Sequence, residues 1–169
     1  MKMTDIVAAG ALVSTIIFPA YAVNISAEFT GAVVPTPCRV VNNSQTVNLG
    51  QVSSEKFSGV GSENNPTQFT IDLEGCEGAN NVWTSMHGTA DKNSPDYFAL
   101  APTAGAARGV AIKVLSYDNM LQKPSGEKLW WEMLSSSRKL SYTASYIQTA
   151  TQIGTGIANA LVTFDIEYR

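Results

Sequence analysis

The last twelve residues, ANALVTFDIEYR at 158–169, place Ala158, Ala160, Val162, Phe164, Ile166 and Tyr168 on one face. Asn159, Leu161, Thr163, Asp165, Glu167 and Arg169 fall on the other, and Leu161 is the one apolar exception. Period-two patterning predicts a β-strand with one face against a core. A strand of this kind takes partners on both edges. No turn and no further strand follow it, so the sequence raises the question of what lies along its second edge.

The rest of the chain reads the same way. Ile25, Ala27, Phe29, Gly31 and Val33 share a face within Val23–Val34, before Pro35-Thr36-Pro37 interrupts. Cys38–Val41 is extended, and Thr46–Gly50 alternates through Val47 and Leu49. Phe69, Ile71 and Leu73 alternate before Cys76, and Val82–Gly88 follows the Asn80-Asn81 turn. Val110, Ile112 and Val114 alternate, Tyr117–Asn119 turns, Leu129–Leu134 carries two tryptophans, and Leu140, Tyr142, Ala144 and Tyr146 alternate. The polar, glycine-rich stretch 51–66 reads as a loop. No long segment has a 3.6-residue period. Short strands with turn signals every ~8–12 residues predict an all-β sandwich.

Ile6–Phe18 is an apolar run too short to span a bilayer, and Pro19 and Ala20-Tyr21-Ala22 follow it. This pattern predicts a signal peptide over 1–22, cleaved after Ala22. In an exported chain the two cysteines, Cys38 and Cys76, have one possible pairing. That disulfide closes a loop of about 39 residues, for which the chain-entropy model gives roughly 4 kcal/mol. A metal site is disfavoured, because His87 is the only histidine and no Cys-x-x-Cys occurs.

With 11 basic and 14 acidic residues, the chain lacks the basic balance of a nucleic-acid binder. A histidine-based triad must use His87, and no G-x-S-x-G elbow accompanies it. Gly154-Thr155-Gly156 precedes a strand rather than a helix, so it is no phosphate loop. Asp72, Glu74 and Glu77 read as solvated carboxylates at a strand end. The sequence therefore predicts no catalytic residues, no metal ligands and no cofactor. Trp130-Trp131 reads either as a sugar-stacking platform or, better, as one residue inward and one outward.

Several segments resemble the chaperone–usher pilus subunits of the type 1 and P fimbrial family, over essentially the whole chain after Ala22. They are VNLG at 47–50, FTIDLEGC at 69–76, GVAIKVL at 109–115, LSYTASY at 140–146 and GIANALVTFDIEYR at 156–169. Cys38 also sits where the family places its first cysteine. Gly156, fourteenth from the end, and Tyr168, next to last, match the family's most specific motif. Thr155 departs from the alanine common there.

The resemblance implies an incomplete immunoglobulin-like sandwich that lacks its last strand and is completed by a donor strand from another chain. It implies a donor-strand extension over 23–34, with Ile25, Ala27, Phe29, Gly31 and Val33 as inserting residues, and a pilin domain over 35–169. The accepting strand would comprise Gly156, Ala158, Ala160, Val162, Phe164, Ile166, Tyr168 and Arg169, with the Arg169 carboxylate held by the chaperone. The implied partners are a periplasmic pilus chaperone, an outer-membrane usher and neighbouring pilus subunits, with no nucleic acid. The implied location is the cell-surface pilus, reached through the periplasm, in a rod or tip-fibrillum adaptor role. The rival reading is a secreted carbohydrate-binding β-sandwich.

Overall fold

A computed structural model of the chain describes residues 38–75, 81–132 and 139–168. Among the described residues, eight strands and one short 3₁₀ turn, Ser54–Lys56, make up the regular structure. The strands are β1 (Arg39–Val40), β2 (Glu63–Glu74), β3 (Asn81–Gly88), β4 (Val110–Ser116), β5 (Leu121–Gln122), β6 (Leu129–Glu132), β7 (Lys139–Gln148) and β8 (Val162–Tyr168). They form a five-stranded sheet in the order β1-β2-β7-β4-β5 and a three-stranded sheet in the order β6-β3-β8. All strand pairs are antiparallel. This is the sandwich that the alternation predicts.

Apolar residues at every second position supply the facing sides of the two sheets. Leu140, Tyr142, Ala144 and Tyr146 on β7 meet Val110, Ile112 and Val114 on β4, Val82 and Met86 on β3, and Trp131 on β6. Tyr142 sits at the centre, with its ring 5.4 Å from Phe69, 5.2 Å from Trp131 and 5.9 Å from Phe164. The indole Nε1 of Trp131 (2.8 Å) and the hydroxyl of Tyr142 (3.3 Å) both donate to Thr84 Oγ1. This buried hydroxyl thus satisfies two polar groups that would otherwise be stranded between the sheets. Burial pushes the Tyr142 phenol well above its ordinary pKa.

Trp130 and Trp131 divide as the sandwich requires. Trp131 is 6% exposed and Trp130 is 50% exposed, so the pair presents no common face to a sugar. Glu74 sits half exposed beside Arg39, as a solvated carboxylate would, whereas Asp72, beside Lys139, turns its Oδ1 out of solvent; Glu77 lies outside the described residues.

Three boundaries differ from expectation. The stretch 51–66 is not loop throughout, because β2 begins at Glu63. The turn signal Asn64-Asn65-Pro66 is absorbed as a bulge, with a register shift between Asn64 and Thr67. Asn65 there takes φ 52°, a left-handed conformation that asparagine tolerates better than most residues. The C-terminal strand starts at Val162 rather than Ala158, and Thr46–Gly50 lies in no strand. Both of those segments keep their alternation of inward and outward side chains but have no ladder partner among the described residues.

Candidate functional site

β7 lies between β2 and β4, hydrogen-bonded on both edges. β8 pairs with β3 and, among the described residues, with no other strand. The direction of its backbone groups follows from β3. The Met86 carbonyl accepts from the Gly126 amide (3.1 Å), and the Gly88 amide donates to the Pro124 carbonyl (3.3 Å). Backbone groups alternate edges along a strand, so the even-numbered residues of β3 face away from β8 and the odd-numbered ones face it. Across the register, Trp83↔Glu167, Ser85↔Asp165 and His87↔Thr163 are then the hydrogen-bonded pairs. Val162, Phe164 and Ile166 turn their N–H and C=O groups to the opposite edge, where no backbone partner meets them among the described residues.

The same three residues direct their side chains at the core, together with Ala158 and Ala160. Leu161, the exception in the sequence pattern, points out and is 84% exposed. Beside the open edge runs a groove of about 1400 Å³. One wall is 153–164 and the other is 42–52, and the floor includes Phe69, Ile71, Met86, Ile112 and Ala144. The two walls share no backbone hydrogen bond. An apolar floor beside unpaired amides and carbonyls is a site that an extended chain can fill, supplying ladder bonds and apolar side chains together.

The entrance to β8 is fixed by close backbone packing at Gly156. A Cβ there would lie 2.7 Å from the Ala107 nitrogen, 2.8 Å from the Ala106 carbonyl carbon and closer still to the Gly105 oxygen. The neighbouring Ile157 donates to Gly105 O (2.8 Å) and accepts from Ala107 N (2.9 Å). Only glycine lets segment 105–107 lie flat against the chain here. Two residues further on, Asn159 O accepts from Ala101 N at 2.6 Å. The strand is thus anchored on one side before its ladder with β3 begins.

Of the predicted accepting residues, Gly156, Ala158, Ala160, Val162, Phe164 and Ile166 line up along this edge. Tyr168 is opposite Val82 in the ladder. Arg169, Cys76 and the predicted donor residues Ile25, Ala27, Phe29, Gly31 and Val33 lie outside the described residues. Cys38 is buried, and no cysteine among the described residues is free.

His87 stands on the outer face of β3. Its Nε2 lies 3.1 Å from Asp165 Oδ2 and 3.4 Å from Ser85 Oγ. Both groups approach one nitrogen, whereas a relay places serine and carboxylate on opposite sides of the ring. Lys128 pairs with Glu167 alongside. Sequence reasoning missed the 42–52 wall as part of the site, since Asn42, Asn43, Ser44 and Gln45 carry no apolar signal.

The family model described as Fimbrial protein matches residues 27–169. A probable major fimbrial subunit of Escherichia coli O157:H7 is 32% identical, over 99% of this chain and 96% of that protein. The long polar fimbria protein A of Salmonella typhimurium is 33% identical over the same shares. Among solved structures, a chain from a chaperone–usher pilus superposes with a TM-score of 0.66 at 20% identity, covering 92% of this chain and all of that one. That likeness shows the fold.

Proposed function

The chain belongs to the fimbrial protein family, and from that premise we propose that its open edge and groove are an acceptor site for a strand from another molecule. It is a structural subunit of a cell-surface fimbria, and its assembly partners are a chaperone, an usher and neighbouring subunits. The observation that carries the reading is the coincidence at Val162, Phe164 and Ile166. Each offers a backbone edge with no partner among the described residues and a core-facing apolar side chain beside the same groove. A neighbour's strand entering antiparallel or parallel to β8 would complete the three-stranded sheet.

In this reading residues 1–22 are a signal peptide and 23–34 are the donor strand offered to the next subunit. Ile25, Ala27, Phe29 and Val33 enter its groove, and Gly31 passes a point of close approach. Each large apolar side chain buried this way contributes about 1.5–3 kcal/mol, and each ladder bond about 1 kcal/mol net. The domain proper begins near Cys38, whose partner is Cys76. The β1–β2 register supports that pairing: Arg39, next to Cys38, is opposite Glu74, two residues before Cys76. Arg169, next after Tyr168 in the sequence, is the residue a chaperone's basic cleft would hold. Resemblance to a major fimbrial subunit supports a place within the fibre, both donating and accepting.

The test is refolding of the 35–169 domain with and without a synthetic 23–34 peptide, followed by amide hydrogen exchange. With peptide, a soluble monomer is expected in which the amides of Val162, Phe164 and Ile166 become protected. Without it, aggregation is expected. A stable monomer that already protects those three amides without peptide would overturn the reading. So would a domain that ignores the peptide.

A further inference from the structure

The two walls of the groove are built on different principles. The β8 wall is held by the β3 ladder. Among the described residues, the 42–52 wall has no ladder, and its hydrogen bonds run through side chains. Asn65 Nδ2 donates to Leu49 O and to Gln51 O, both at 3.0 Å. The Tyr146 hydroxyl donates to Gly50 O at 3.2 Å. Within the segment, Asn48 Oδ1 accepts from the Gly50 amide at 2.9 Å. Three consecutive carbonyls, 49 to 51, are thus held by two side chains, one from β2 and one from β7.

Asn65 reaches this position because of the bulge in β2. The register shift between Asn64 and Thr67 and its left-handed φ of 52° aim the amide away from the ladder and across to the wall. Gly50, with φ 68°, supplies the matching kink in the wall itself. Around that kink Leu49 and Val52 pack against the core while lining the groove.

We infer that Asn65 and Tyr146 are positioning residues that hold the 49–51 backbone in the shape an incoming strand needs, so that the groove stays open before it is filled. The inference rests on the acceptor-site reading above. A wall tethered by side chains gives the groove a preformed second side without a further strand, and preorganisation of this kind lowers the ordering cost at the moment of binding.

The experiment uses the full chain captured by its chaperone and follows replacement of the chaperone by the 23–34 peptide. Two substitutions at Asn65 separate amide chemistry from backbone conformation. Asn65→Asp keeps a residue that tolerates positive φ but sets a carboxylate against two carbonyls. Asn65→Gly keeps the conformation and removes the side chain. Both are expected to slow exchange at least tenfold, and Tyr146→Phe to slow it about threefold. Hydrogen exchange in the same complexes is expected to quicken at 46–53 while β4 and β7 stay protected. Wild-type rates for both Asn65 variants would overturn the clamp, as would protection lost evenly across the domain. If the wild-type complex itself failed to exchange while another groove-bearing subunit did, the acceptor reading would fall first and the clamp with it.

Discussion

β7 and β8 carry nearly the same sequence pattern, an apolar residue at every second position over seven to ten residues. They end in different surroundings. β7 is sandwiched between β2 and β4, and its inward side chains are almost wholly covered. Among the described residues β8 has a strand on one side, and the inward side chains of Val162, Phe164 and Ile166 stay partly exposed above the groove. Alternation encodes which face meets the core. It does not encode how many neighbours a strand has, because ladder bonds are made by backbone that every residue carries alike. One motif therefore serves a finished strand and an unfinished one.

The contrast is sharpest where a closed core is cut. Leu140→Ala on β7 removes a side chain that is 1% exposed, and a cavity there should cost about 2–5 kcal/mol. Urea unfolding of the peptide-complemented domain measures it. A loss below about 1 kcal/mol would mean that β7 is less finished than its burial indicates.

Gly156→Ala probes the open strand where it is most constrained. The added methyl meets backbone of Gly105, Ala106 and Ala107 rather than a movable side chain, so about 1–3 kcal/mol should be lost through displacement of that segment. The same urea series reports it, and slower peptide uptake should accompany it because the entrance to β8 shifts.

Thr84→Val addresses the link between the two sheets. It keeps the shape but leaves the Trp131 indole and the Tyr142 hydroxyl without their acceptor, for a cost of about 1–3 kcal/mol. Thr84→Ser should restore most of it, which separates the hydrogen bonds from the lost packing.

On the outer face of β8, Lys128→Ala breaks a solvent-exposed pair with Glu167. The cost should be under about 1 kcal/mol and should shrink further in high salt. An effect as large as that of Leu140→Ala would show that the outer face is covered in the measured state.

The sequence made most of the sandwich legible, for a physical reason. β3, β4 and β7 turn an apolar residue to the core at every second position, so the pattern reports them, even though Ala111 on β4 and Ile147 on β7 are buried on the opposite face as well. β2 was legible only from Phe69 on. Its first residues, Glu63–Pro66, carry the marks of a turn, and the bulge that accommodates them is a tertiary outcome of pairing with β7. β8 was legible as a strand with one core-facing side. The ladder-free character of Ala158–Leu161 was not, since side-chain burial persists there without a neighbouring strand. The Asn65 tether left no signal at all. A side chain that binds carbonyls 14 and 16 residues away creates no periodicity, and an asparagine beside a proline reads first as a turn.

At Val162, Phe164 and Ile166 one alternation governs two properties at once, the edge to which the backbone points and the face to which the side chain points. Sliding a complementary strand by one residue would turn its apolar side chains to water, while sliding it by two restores the inward or outward sense of every side chain. If that strand comes from a neighbouring subunit, as proposed, the joint could shift only in steps of about 7 Å, twice the rise per residue of a strand. A fibre assembled from such joints would behave like a ratchet with coarse teeth. Small errors in spacing would have no stable resting place, and the repeat length would be copied from one junction to the next.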